Sequence, residues 1–198
     1  MENKRFIKQL SFIIEADKLK EVYRKSLLMD ASRNENDAEH SWHLALAVII
    51  LSEYSNDKKI DILKVLKMAI IHDIVEIYAG DTFAYSGNYH SPEKYEREKK
   101  ALDQILSLLP EDQKKEFTFI WDEFEENSTA EANFAKALDR FMPILHNYQT
   151  EGIQWKKYNV KKDMVLDINK HIEKGSTFLW EYVQELVDDS GKKEYLSK

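Results

Sequence analysis

The stretch AIIHDIVEIYAGD, Ala69 to Asp81, sets the terms on which this chain can fold. If Val65 to Tyr78 is a helix, apolar residues ring it on nearly every side, the pattern of a helix enclosed by others. It nevertheless carries His72, Asp73 and Glu76, with Asp81 one glycine beyond its end. A buried carboxylate without a partner costs several kcal/mol or gives up its charge. A bound cation would compensate all of these groups at once.

The composition permits such a core. The chain has 198 residues, 43% hydrophobic and 33% charged, with only five glycines and three prolines. That mixture disfavours both disorder and a loop-rich β architecture, so helices are expected, in one domain spanning residues 1–198. A net charge of -7 argues against a nucleic-acid polymer or a membrane surface as partner, because both are bound through broad basic patches. Small anionic substrates remain open. There is no cysteine, hence no disulfide, thiolate zinc site or thiol nucleophile, and any metal must be held by nitrogen and oxygen. The longest apolar run, Leu44 to Leu51, is too short to span a bilayer, and the N-terminus does not read as a signal peptide. A cytoplasmic protein is expected.

Apolar residues from Phe6 to Val22 recur at three- to five-residue steps and predict a first helical region reaching Leu28. Asn36 with Glu39 resembles a capping signature that opens a helix to about Tyr54, with His40 in its first turn. Asp61 can cap the buried helix, and Gly80 should end it near Ala79. Ser91 and Pro92 start an amphipathic helix to about Leu109, and Pro110 starts another with Phe117, Ile120, Trp121 and Phe124 inward. A sixth helix from Thr129 to Tyr148 turns Phe134, Leu138, Phe141 and Leu145 inward. It contains Pro143, which removes the helical partner of the Asp139 carbonyl and should bend the helix there. Two more helices are expected at Lys161 to Glu173 and Ser176 to Val187, the last stopping before Gly191.

His72, Asp73 and Glu76 are spaced to project toward one side of their helix. An imidazole and a carboxylate can both reach one divalent ion, while Glu76 could poise a water beside it. The remaining ligands must come from elsewhere. The candidates are His40 or His43, three residues apart, and Asp139. The dipeptide Asp139-Arg140 could be a surface ion pair, but its apolar neighbours Leu138, Phe141 and Met142 argue for burial. His90, His146 and His171 have no such motif beside them and read as structural or exposed. The segment after Asp81, with Gly87 between aromatics, reads as a loop near the pocket mouth that could act as a lid. Trp42, Trp121, Trp155 and Trp180 read as core.

The segments YRKSLL, SRNENDAEHSWHLAL, IHDIVEIYAGD, LLPEDQKKEF and FAKALDRFMPIL, in this order, resemble the HD-domain metal-dependent phosphohydrolases, in the branch of the 5'-deoxynucleotidases. The resemblance covers most of the chain. It implies an all-α HD-domain helical bundle, commonly a homodimer, with metal ligands falling on His40, His72, Asp73 and Asp139. It selects His40 over His43. It also places Glu76 and Asp81 beside the metal, as residues that handle protons or position the nucleophile, and makes Arg24 the phosphate-holding arginine of the first helix, with Lys25 the competing choice. Some deoxynucleotidases follow that arginine with a tryptophan that helps exclude a ribose 2'-hydroxyl; this chain has Lys25 there.

The resulting expectation is a metal-dependent phosphomonoesterase that converts (deoxy)nucleoside 5'-monophosphates to nucleoside and phosphate. One divalent transition-metal ion would serve it, with Mn, Co, Fe, Ni or Zn better suited to mixed nitrogen and oxygen ligands than Mg. Two rivals stand beside it. One is an HD hydrolase of another nucleotide phosphate ester, such as a di- or triphosphate, an alarmone or a phosphodiester. The other is a non-catalytic helical dimer that binds a nucleotide or metal.

Overall fold

The computed structural model describes residues 3–86 and 91–197; Gly87 and His90 lie outside them. Helices dominate, as expected. Helix α1 (Lys4–Ala16) gives way to a 3-10 turn (Asp17–Glu21) and then to a strand, β1 (Tyr23–Leu27), rather than continuing to Leu28. β1 pairs antiparallel with β2 (Asn34–Asn36), Tyr23 opposite Asn36 and Leu27 opposite Asn34. Ribbon contacts absorb the backbone that a helix would need: the Val22 carbonyl accepts from the Asp37 N-H at 3.0 Å, and the Leu28 N-H donates to the Arg33 carbonyl at 2.9 Å.

Helix α2 (Asp37–Leu51) starts on a complete capping box. The Asn36 side chain accepts from the Glu39 N-H at 2.9 Å, and the Glu39 carboxylate accepts from the Asn36 N-H at 3.1 Å. Such a cap contributes about 1 kcal/mol and fixes the first turn, where His40 sits. Helix α3 (Ile62–Ile71) starts at Asp61, whose side chain accepts from the Lys64 N-H at 3.2 Å. The single helix expected from Val65 to Tyr78 is instead α3, a 3-10 turn (His72–Val75) and a short α4 (Glu76–Ala79). Trp121 Nε1-H donates to the His72 carbonyl at 3.1 Å, while the Glu76 N-H turns to the Asp73 carbonyl. The α-helical bond from Glu76 to His72 is thereby replaced. Gly80, at φ +74°, then ends α4 in a conformation that glycine adopts without a Cβ clash.

Helix α5 (Pro92–Leu106) is capped by Ser91, and α6 (Glu111–Glu126) follows Pro110 with Ile120, Trp121 and Phe124 buried. Helix α7 (Ala130–Gln149) is the central element. It packs against α2, α3 and α6, and against the later helices α10 (Ile172–Gly175) and α11 (Thr177–Lys192). Phe134, Leu138 and Phe141 are buried as expected, while Leu145 is only half-buried and Ile144 takes the interior position. At Gly175 a Cβ would lie 2.2 Å from the Asn133 carbonyl oxygen, so glycine permits the close approach of α10 to α7.

The C-terminal region departs from expectation in detail. A short α8 (Ile153–Lys157) was not foreseen, and the helix expected from Lys161 to Glu173 is two, α9 (Lys162–Asn169) and α10. Helix α11 runs through Gly191 to Lys192, because a glycine costs a helix about 1 kcal/mol without ending it. No helix among the described residues is long and apolar enough to cross a membrane.

Candidate active site

Elements far apart in sequence bring His40, His72, Asp73 and Asp139 together. His40 comes from the first turn of α2, His72 and Asp73 from the 3-10 turn, and Asp139 from the middle of α7. His40 Nε2 lies 3.0 Å from Asp139 Oδ1 and 4.0 Å from Asp73 Oδ2. His72 Nε2 lies 3.1 Å from Asp73 Oδ2 and 3.5 Å from Asp139 Oδ1. Donors about 2.1 Å from a tetrahedral centre stand about 3.4 Å apart, so this spacing suits a single divalent ion. The tautomer agrees: His72 Nδ1 is 3.1 Å from the Ala69 carbonyl, which only an N-H can satisfy, and the buried Nε2 is left without a hydrogen-bond partner. His43 turns away toward His146, with ring centroids 5.6 Å apart, so geometry selects His40 of the pair.

The electrostatics are those of a cation site. Burial lowers the pKa of His40, helped by Arg24 and opposed by Asp139, which keeps a neutral nitrogen available. Burial also opposes charge on His72, but Asp73 and Asp139 outweigh it and push its pKa up to about 10; the field that favours a proton there favours a metal ion equally. Burial would raise Asp73 and Asp139, yet the two histidines, with Arg24 at Asp73, hold both below the ordinary carboxylate value. Both aspartates are therefore ionised ligand candidates at neutral pH.

Around this cluster stand the other expected residues and one that sequence reasoning missed. Arg24 lies on β1, not on the first helix, with Nη1 2.7 Å from Asp73 Oδ2 and 3.2 Å from Asp37 Oδ1. Burial opposes its charge, but Asp73 and Asp37 hold its pKa well above the ordinary value. The strand's alternation leaves the neighbouring Lys25 exposed. Glu76 is buried with Oε2 unpartnered, and burial together with Asp73 and Asp37 raises its pKa well above normal. Asp81 is raised by burial and Asp73, against Arg24. Asp37 is the unforeseen member. It is fully buried, its pKa pushed up to about 7 by burial and Asp73, and one of its oxygens lies within 4.8 Å of oxygens of Asp73 and Glu76. The only signal in the sequence was its place in the first turn beside His40, where an acidic residue ordinarily serves the helix dipole.

A cavity of about 490 Å³ opens onto these groups, with Arg24, Lys25, His72, Asp73, Glu76, Asp81 and Asp139 on its wall. Thr82 to Tyr85 also line it, which puts the start of the expected loop at the pocket. Trp121 and Trp155 are buried as core but line the cavity too, and so does His171, whose pKa is pushed down to about 4 by burial and Arg140. Trp180 is core, whereas Trp42 is 67% exposed and is not. Asp139 and Arg140 are not a surface pair: both side chains are largely buried, with Arg140 Nε 3.7 Å from Asp139 Oδ2.

A helical bundle that gathers two histidines and two aspartates beside one cavity defines a class of metal-binding enzyme scaffolds. The family model for the HD domain matches residues 16–180, and the chain belongs to that family. Among relatives, 5'-deoxynucleotidase HDDC2 of Homo sapiens is 32% identical over 148 residues, which cover 74% of this chain and 70% of that protein. The 5'-deoxynucleotidase hdd1 of Schizosaccharomyces pombe is 31% identical over 134 residues, covering 66% and 63%. The crystal structure of a predicted metal-dependent phosphohydrolase from Magnetospirillum magnetotacticum matches with a TM-score of 0.93 and 46% identity, covering 98% of this chain and 97% of that one.

Proposed function

We propose that this chain is a metal-dependent phosphohydrolase that cleaves (deoxy)nucleoside 5'-monophosphates to nucleoside and inorganic phosphate, with residues 1–198 acting as one domain. The observation that carries the reading is the set of four donor residues, with histidine-to-aspartate distances of 3.0–4.0 Å, flanked by Arg24 and Glu76 beside one cavity. The names of the relatives, 5'-deoxynucleotidases and a metal-dependent phosphohydrolase, point the same way.

In this reading His40, His72, Asp73 and Asp139 hold the ion. When bound there, a divalent metal supplies Lewis acidity and brings the pKa of water toward neutrality. Arg24 offsets charge on the phosphoryl oxygens, where a fixed cation in a water-poor site is most effective. Glu76, which a cation beside Asp73 would ionise, would take the proton of the attacking water through its unpartnered Oε2, Asp81 at the cavity wall would orient that water opposite the sugar oxygen, and the leaving sugar oxygen would be protonated by Asp81 or a second water. The nitrogen and oxygen donors favour Mn, Co, Fe, Ni or Zn over Mg. Exposed Lys25 stands where some of the resembled deoxynucleotidases carry a tryptophan that helps exclude a ribose 2'-hydroxyl, which leaves ribose beside deoxyribose within the proposed substrates.

The active unit in this proposal is a homodimer. Its support is α2, which leaves Trp42, Leu46, Ile49 and Ile50 exposed on one face beside exposed Leu63 and Ile70 of α3. An apolar patch of that kind is a typical association surface.

The test is product analysis across ribo- and deoxyribonucleoside 5'-mono-, di- and triphosphates and a cyclic phosphodiester. Equal amounts of nucleoside and inorganic phosphate from the monophosphates are expected. Release of pyrophosphate or triphosphate, or turnover of the diester with the monophosphates inert, would replace this reading with a different phosphate ester. A metal-loaded protein inert toward the whole panel would leave a binding protein.

A further inference from the structure

Behind the candidate active site lies a second cluster of metal-type donors. The α2–α7 contact that brings His40 to Asp139 continues one step along both helices. There His43, three residues on, meets His146, seven residues on, and Glu35 reaches in from β2. One donor atom from each of Glu35, His43 and His146 lies within 4.8 Å of the other two. His146 Nε2 is 3.7 Å from Glu35 Oε1, close to the spacing of about 3.4 Å between ligands of a tetrahedral ion.

The hydrogen bonds around the cluster call for a cation. His146 Nδ1 lies 2.7 Å from the Leu27 carbonyl oxygen, a contact that requires an N-H, so in the neutral ring Nε2 carries the lone pair. His146 is only 2% exposed, and its Nε2 has no hydrogen-bond partner. It faces a carboxylate oxygen, which is also an acceptor. Two acceptors opposed across a buried gap are unfavourable unless a positive centre sits between them. The Glu35 carboxylate is held in place on its other side, where Oε2 accepts from Ser26 Oγ-H at 3.1 Å and lies 3.8 Å from His40 Nδ1 and 3.9 Å from Arg24 Nε.

We propose that Glu35, His43 and His146 form a second divalent-metal site, with Zn as the ion best matched to two imidazoles and one carboxylate. His43, half-buried, gives it a path to solvent. The ion clamps β2, α2 and α7 to one another, and through Glu35 it steadies the far side of the His40 ring, in the manner of carboxylates behind metal-bound histidines. This ion is held whichever reaction the first cluster performs.

The experiment is a metal count on the full-length chain, stripped with a chelator, reloaded with excess Zn, desalted and analysed by mass spectrometry. Wild type should retain two equivalents, and His43→Gln should retain one, with an unchanged circular dichroism spectrum. Asp73→Asn, which weakens the first cluster, should retain the second ion, and adding His43→Gln should remove it. Glu35→Gln keeps the side-chain shape while removing its charge, so it should also drop the count to one if His43→Gln proves poorly folded. A single equivalent in wild type would overturn the proposal, as would a second equivalent that survives both His43→Gln and Glu35→Gln. Either result would leave a protonated histidine as the partner of Glu35. Because the readout is bound metal, it stands whether or not phosphate is released.

Discussion

The carboxyls of Asp37, Asp73 and Glu76 share a small buried volume with Arg24 as their cationic neighbour, and they divide the work by environment. Asp73 faces His72 and stays ionised, whereas Glu76 and Asp37 are pushed toward protonation by burial and by Asp73. Asp73→Ala should therefore lose the ion of the His40, His72 and Asp139 cluster and turnover together. Glu76→Gln should keep the metal while kcat falls about 100-fold or more, the usual contribution of a positioned base. Metal analysis and phosphate release on the same samples check this, and full activity in either variant would remove the assigned roles. Asp37 gives a stability prediction for the metal-free protein. Its folded pKa is raised to about 7, so the stability it contributes is present at low pH and lost as pH rises through 7. Asp37→Asn should accordingly gain on wild type as pH rises from about 4 to 7, by up to about 1.4 kcal/mol per pH unit, and the difference should level off above pH 7. Urea denaturation in the presence of chelator at several pH values measures it. His72, Asp73, Glu76 and Asp81 could be singled out because they lie close together in one apolar stretch, whereas the choice of His40 over His43, and of Arg24, needed the resemblance. Asp37 could not be singled out, since its burial depends on Arg24 and Asp73 arriving from 13 and 36 positions away.

Among the elements, those with purely local signals were legible. Asn36 and Glu39 for α2, Asp61 for α3, Ser91 for α5 and Ser176 for α11 all cap where the sequence starts those helices, and Thr129, expected as the first residue of α7, proves to be its cap. The misses are places where a distant partner decides. β1 exists because β2 and the start of α2 take its backbone bonds, which no periodicity between Phe6 and Leu28 could disclose. The 3-10 turn at His72 depends on Trp121, 49 residues away, drawing off one carbonyl. Apolar spacing does not distinguish it from an α-helix. Close packing is equally non-local: nothing beside Gly175 in the sequence announces that α7 lies against it. Gly175→Ala should destabilise the protein by about 1–3 kcal/mol, because the added methyl meets backbone that cannot rotate aside. A lower denaturation midpoint with an unchanged m-value is the expected result.

At the scale of the whole molecule, the bundle wraps the candidate site with α7 at its centre and leaves apolar side chains of α2 and α3 uncovered on its outside. If that face joins two copies, Ile49→Glu should turn a dimer into a monomer in sedimentation while the fold and bound metal are kept; a monomeric wild type would remove the dimer from the proposal. The central claim, that this HD-domain chain works through a cation held by His40, His72, Asp73 and Asp139, is tested most directly by metal dependence. Protein verified to be metal-free, then reloaded separately with Mn, Co, Zn or Mg, should release no phosphate from nucleoside 5'-monophosphates until a divalent ion is restored. Full turnover by the metal-free protein would contradict the account.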